Sequence, residues 1–322
     1  MANPLDEHYR LVVEAIVEGE LVPFLGAGVN RCGRPADTKW KTGQYLPDGF
    51  ELAEYLAGDS SYPHQRRDDL LRVSQYIDLV SGSHDLYKKL RKVFNASYPP
   101  TLLHRYFASL PAILRERGIT GHQLLVTTNY DDLMERAFAE AGQSFDVVTY
   151  LADGEHRGRF LHLKPEGDMQ IIEEPQKYEG LSLRERPVIL KIHGAVDRET
   201  PEEDERKRRD SFVITEDHYV DYLARTNTTN FLPAQLASRM RTSHFLFLGY
   251  SLRDWNLRVL LRRIWGEQPL SITSWAIQLN PHEIDKKFWV KHNVEILDVL
   301  LDQYIAALSG RVQALPQASN SS

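Results

Sequence analysis

Three side chains able to move or steer a proton stand just beyond apolar runs. Asn129 and Asp131 follow Val126-Thr127-Thr128, and His193 closes Leu190-Lys191-Ile192-His193-Gly194. An imidazole of ordinary pKa serves as a general base near neutrality, an amide can hold water or a hydroxyl in attacking geometry, and a carboxylate can stabilise developing positive charge. Two glycine turns accompany them: Gly26-Ala27-Gly28, with Asn30 just after, and Gly249-Tyr250-Ser251. Glycine lets backbone amides approach a diphosphate closely. Every cluster also has a plainer reading. Asp131 and Ser251 suit helix caps, a single histidine before glycine often sits in a core, and Gly-x-Gly alone is an ordinary tight turn. The dinucleotide fingerprint asks for a third glycine where Arg31 stands.

The elements that would position these residues are legible as apolar runs. Strands are expected at Leu21 to Leu25, Gln123 to Thr128, Phe145 to Tyr150, Pro187 to Ile192, His244 to Leu248, Trp275 to Leu279 and Val294 to Asp298. Shorter ones are expected at Arg159 to Leu163, Met169 to Ile172 and Phe212 to Thr215. Helical spacing covers Leu5 to Glu18, Asp131 to Ala141, Tyr219 to Ala224 and Asp254 to Trp265. Strands alternating with helices indicate an α/β fold with a doubly wound, Rossmann-like, mostly parallel sheet. In such a sheet ligands bind outside the carboxyl ends of the strands, so the polar clusters are expected to converge. From Phe50 to about Arg117 the pattern is helical and punctuated by Pro99, Pro100 and Pro111, a helical insertion (about 50–118) after the first strand. Arg31 to Gly49 reads as a long loop, a lid beside the site, whose Arg31 and Arg34 are candidates for a diphosphate or for solvent. Glu199 to Asp210 is a charge run that reads as a solvated loop or frayed helix. One folded domain, residues 1–310, is expected, with a flexible tail over 311–322.

Composition narrows the classes. The chain has 322 residues, 42% hydrophobic, with a net charge of -6, so no polybasic footprint for nucleic acid is present. Cys32 is the one cysteine, which excludes an internal disulfide and a Cys-rich zinc site. The polar start lacks a signal peptide's apolar core, and no apolar stretch approaches the roughly twenty residues of a membrane span. A cytoplasmic protein is expected, with no membrane and no nucleic-acid partner.

From Phe24 to about Val299 these motifs, in this order, resemble the sirtuin-like NAD-consuming proteins, especially the bacterial NAD glycohydrolases of antiphage defence. Gly26-Ala27-Gly28 resembles the family's diphosphate turn, with Asn30 where a serine is usual. Thr128-Asn129-Tyr130-Asp131 is similar to its Asn-x-Asp element, Lys191-Ile192-His193-Gly194 to its catalytic His-Gly, and Gly249, Ser251 and Asn280 to its ribose- and adenine-side turns. The resemblance implies catalysis by Asn129, Asp131 and His193, and NAD as substrate, split into nicotinamide and ADP-ribose or a cyclic form. It implies control through homo-oligomerisation or a partner of the ATPase or Argonaute type. Deacylating sirtuins carry a zinc ribbon of two Cys pairs, which a chain with one cysteine lacks; no metal is therefore expected. A protein deacylase, an ADP-ribosyltransferase and a non-catalytic NAD or ADP-ribose sensor are the alternatives.

Overall fold

Alternate residues of the central strands enter different cores, the mark of a sheet covered on both faces. Val22, Phe24, Leu124 and Val126 pack on one side; Leu21, Leu25, Leu125, Leu246 and Leu248 pack on the other. The computed structural model describes residues 4–35, 37–63, 65–198, 210–225, 231–252, 255–265 and 272–317. Almost all of the charge run at 199–210 lies outside them.

The strands are β1 (Leu21–Leu25), β2 (Leu124–Thr127), β3 (Asp146–Tyr150), β4 (Phe160–Leu163), β5 (Met169–Ile172), β6 (Val188–Lys191), β7 (Gly194–Ala195), β8 (Ser211–Phe212), β9 (His244–Leu248), β10 (Ser274–Gln278) and β11 (Val294–Asp298). The helices are α1 (Pro4–Val17), α2 (Gly49–Asp59), α3 (Leu70–Ser81), α4 (Ser83–Phe94), α5 (Leu102–Glu116), α6 (Leu133–Glu140), α7 (Glu216–Arg225), α8 (Ala234–Arg241), α9 (Trp255–Trp265), α10 (Glu283–Val290) and α11 (Leu301–Gln313). One sheet runs β11-β10-β9-β1-β2-β6-β3-β4-β5, and β7 pairs with β8 separately. All pairings from β11 to β3 are parallel; β4 and β5 close the far edge as an antiparallel hairpin. The doubly wound α/β fold is therefore present, with α7, α8, α9 and α10 on one face and α1, α5, α6 and α11 on the other.

Two boundaries differ from the sequence reading. The helical stretch is not one module: α2, α3 and α4 bury their own core around Leu56, Ile77 and Leu90, whereas α5 packs on the main sheet through Leu103, Phe107 and Leu110. Helical spacing reports that a face is buried and is silent on which core receives it. Pro111 does not end α5 but lies buried inside it. At the other end α11 continues to Gln313 and buries Val312, so the folded chain runs past residue 310.

The closing helix meets the first through a buried contact. His8 Nε2 lies 2.9 Å from the Tyr304 hydroxyl, and the His8 ring stands edge-on to Trp275. Burial pushes the His8 pKa down to about 4. In the unfolded chain it returns to its ordinary value, so below pH 6.5 the unfolded state takes up a proton that the folded state refuses until about pH 4. The group's contribution to stability is complete above pH 6.5 and is lost as pH falls towards 4, on the order of 2 kcal/mol by pH 5. Denaturant titrations at pH 7 and pH 5 should show a steeper loss in the native protein than in His8→Phe; equal losses would disprove the assignment.

Candidate active site

The strand ends singled out in the sequence are those of immediate neighbours, since β9, β1, β2 and β6 lie side by side. From β1 the chain fills the sheet on the β2 side and then returns to place β9 on the opposite side, so the strand order reverses between β1 and β9. A crevice opens at such a reversal. Here it is a cavity of about 530 Å³, within the range of small-molecule sites. Ala27, Gly28, Asn30, Thr128, Asn129, Asp131 and His193 line it, as do Gly249 and Ser251.

Asn129 is held from behind. Its N–H donates to Thr127 Oγ1 at 3.0 Å and its Nδ2 to the Gly26 carbonyl at 3.4 Å. Its Oδ1 is buried without a partner among the described residues. Asp131 is not the helix cap that the sequence suggested, a place that falls to Asp132, but it tends the same helix: Oδ1 accepts from the Leu133 N–H at the start of α6, at 3.1 Å, while Oδ2 is buried without a partner among the described residues. Burial raises the Asp131 pKa, opposed by the Lys191 ammonium. A buried acceptor without a donor carries a desolvation cost that a bound hydroxyl, amide or water would relieve.

His193 is buried, its Nδ1 3.3 Å from the Tyr219 hydroxyl, and burial pushes its pKa down to about 3. It is therefore a neutral imidazole throughout the physiological range. Gly194 follows with φ of 87°, a left-handed backbone that turns the chain into the β7–β8 ribbon. Beneath the loop carrying Asn129 and Asp131 lies Lys191, 1% exposed. Its Nζ donates to the Asp131 carbonyl and, at 2.6 Å, to Glu135 Oε1.

The glycine turns are built for each other as much as for a ligand. Gly28 N–H donates to the Gly249 carbonyl at 2.8 Å and Gly26 N–H to the Leu248 carbonyl at 3.0 Å. A Cβ at Gly28 would stand 2.7 Å from the Gly249 oxygen, and one at Gly26 2.6 Å from Tyr250 Cδ2. Gly26 thus sits behind the wall of the cavity. Asn30 donates one amide N–H to the Pro47 carbonyl at 3.1 Å, fastening the end of the 31–49 loop beside the cavity, and its Oδ1 is buried without a partner among the described residues. Arg34 is not free for a diphosphate, because its guanidinium grips Glu51 and the Thr38 carbonyl. Arg31 is exposed and reaches Asp48 at 3.4 Å. Asn280 is not gathered with the others: it lies exposed beyond β10, its N–H donating to Asp298 Oδ1 at 2.8 Å.

Sequence reasoning missed Tyr219 and the tethering by Lys191. Tyr219 comes from α7, and no local pattern connects it with His193. The buried charge of Lys191 had a signal, a lysine ending an otherwise apolar strand. Among the described residues, no group of three or more His, Cys, Asp or Glu side chains is gathered as metal ligands, and no helix is long and apolar enough to cross a membrane.

The family model described as the SIR2-like domain matches residues 123–297, more than half of the chain. The chain is similar to a protein named NAD(+) hydrolase ThsA from Acinetobacter baumannii, 26% identical over 79% of this chain and 41% of that protein. It is similar to Defense-associated sirtuin 2 of Bacillus subtilis, 23% identical over 90% of this chain and 22% of that one. A second NAD(+) hydrolase ThsA, from Cytobacillus dafuensis, is 23% identical over 82% and 42%. The chain thus spans less than half the length of each of these relatives.

Proposed function

Since the chain belongs to the SIR2-like domain family, we propose that it is an NAD glycohydrolase, cleaving the nicotinamide–ribose bond to release nicotinamide and ADP-ribose or its cyclic form, in bacterial antiphage defence. The observation that carries the reading is the meeting of Asn129, Asp131 and His193 on one cavity at the switch point of the sheet. The names of the relatives, NAD(+) hydrolase and defense-associated sirtuin, support it.

The residues fit the chemistry. The departing base takes the bonding pair and leaves neutral from a cationic pyridinium, so no acid is required. Asn129 Oδ1 orients the attacking water or a ribose hydroxyl, a proximity effect. Asp131 Oδ2 stabilises the positive charge spreading over the ribose. His193 accepts the proton released as the new bond to C1′ forms; the attacking water becomes strongly acidic at that moment, so a base of depressed pKa suffices. Unrestrained turnover would drain cellular NAD, so restraint by self-association or by a partner subunit of the ATPase or Argonaute type belongs to this proposal, as does a cytoplasmic location.

Incubating the purified chain with NAD beside His193→Ala, at high protein concentration, tests the reading by chromatography of the products. Nicotinamide and ADP-ribose should appear with the wild type alone. Equal release by both proteins would remove His193 from the chemistry, and NAD binding without release would favour a sensor or a missing partner. Asp48, Asp68 and Asp131 line the cavity, and no lysine or arginine does so among the described residues. The 2′-phosphate that NADP adds to the diphosphate it shares with NAD would bring further negative charge to this acidic lining, so NADP is expected to be cleaved at least about tenfold less efficiently than NAD in parallel assays.

A further inference from the structure

We propose that Tyr219 is a positioning residue that sets the tautomer of His193, with the proton on Nδ1 donated to the tyrosine oxygen and the lone pair of Nε2 turned to the cavity. The choice of this tautomer over its opposite, like the role of His193 as base, rests on the NAD-cleaving reading, since a tyrosine hydroxyl can donate or accept; the contact itself does not.

The geometry comes from three sides. Nδ1 lies 3.3 Å from the Tyr219 hydroxyl, both residues line the cavity, and Nε2 has no hydrogen-bond partner among the described residues. The ring is edge-on to Tyr219 at 5.2 Å and to Tyr222 at 5.6 Å, and both tyrosines are buried, so the imidazole is held against flipping. The backbone is fixed as well, the His193 carbonyl accepting from the Val213 N–H at 2.9 Å. A neutral imidazole has one N–H and one lone pair, and the partner of one nitrogen decides the state of the other. If Tyr219 instead donated to Nδ1, Nε2 would carry the proton and face the substrate as a donor, unable to accept from water. In the assigned arrangement the step balances. Water oxygen bonds to C1′ as the bond to nicotinamide breaks with its electron pair leaving on nicotinamide, and the water proton passes to Nε2 and then to solvent.

The test is nitrogen-15 NMR of the whole histidine-labelled chain without NAD, the His193 signals being identified by their loss in His193→Ala. Nδ1 should report as protonated and Nε2 as bare in the wild type, and Tyr219→Phe should move the pair towards the opposite tautomer or a mixture. In turnover assays the same variant should lower kcat by about ten- to a hundredfold with KM within about twofold, the pattern of a group lost from the transition state rather than from binding. A wild type with the proton on Nε2, or a tautomer unmoved in Tyr219→Phe, would overturn the proposal; should that variant fail to fold, the wild-type spectrum still decides. The expected spectra in a protein that consumes no NAD would leave the tyrosine assignment standing and turn the enzymatic reading towards a sensor or a missing partner.

Discussion

Asn129→Ala is expected to lower NAD cleavage by about a hundred- to a thousandfold, the scale of losing one group aimed at charge that develops in the transition state. Oδ1 is buried without a partner among the described residues, while Nδ2 only braces Gly26. The loss should therefore fall on kcat, with dinucleotide affinity by calorimetry changing by less than about threefold. Asn129→Asp probes the same point from another direction, because it keeps an acceptor but removes the donor to the Gly26 carbonyl. A substantial residual rate in the Asp variant beside none in Ala would locate the effect in Oδ1. Full activity in Asn129→Ala would sink the assignment.

Gly194→Ala is the change expected to do most damage to the fold around the site. A Cβ there would stand 2.1 Å from the Ser211 carbonyl oxygen, which belongs to the paired strand and has no room to retreat. The left-handed backbone alone costs an L-residue about 1–2 kcal/mol, and forcing the ribbon apart brings the total to about 3–5 kcal/mol. Gly82→Ala is the comparison: its φ of 83° with ψ of 158° is a region essentially confined to glycine, but nothing lies within 4 Å of the added carbon, so only a backbone cost of about 1–3 kcal/mol should appear. Chemical denaturation of the two variants separates the contributions, and equal losses would mean that the contact with Ser211 is soft.

The site was legible to the extent that it is written in strand ends. An apolar run followed by Asn129 or His193 shows locally where a strand stops and what it presents, and parallel topology does the rest by aligning β9, β1, β2 and β6. What stayed hidden depends on distant partners. Arg34 looked available until Glu51 took it, and the tie from Asn30 to the Pro47 carbonyl joins segments that share no local pattern. Asn280 obeys the same strand-end logic, but its N–H is engaged by Asp298 away from the cavity. Tyr219 is invisible for a related reason: a helical tyrosine in a mixed segment says nothing of the histidine twenty-six positions earlier. The helical stretch shows the limit most simply, since α4 and α5 have similar amphipathic patterns and serve different cores.

The hydrogen bond from Gly28 to Gly249 joins residues more than two hundred positions apart. A chain emerging from the ribosome thus makes its first glycine turn early and meets the second only after most of the domain has been synthesised. Until Leu248 and Gly249 arrive, β1 has no neighbour on that side, and Gly26 and Gly28 have nothing to close against. The crevice is consequently among the last features to assemble, a delay characteristic of contacts between distant parts of a chain. Under the proposed NAD cleavage, which would harm the cell that makes it, this order of assembly means that nascent chains and prematurely terminated products lack a working site.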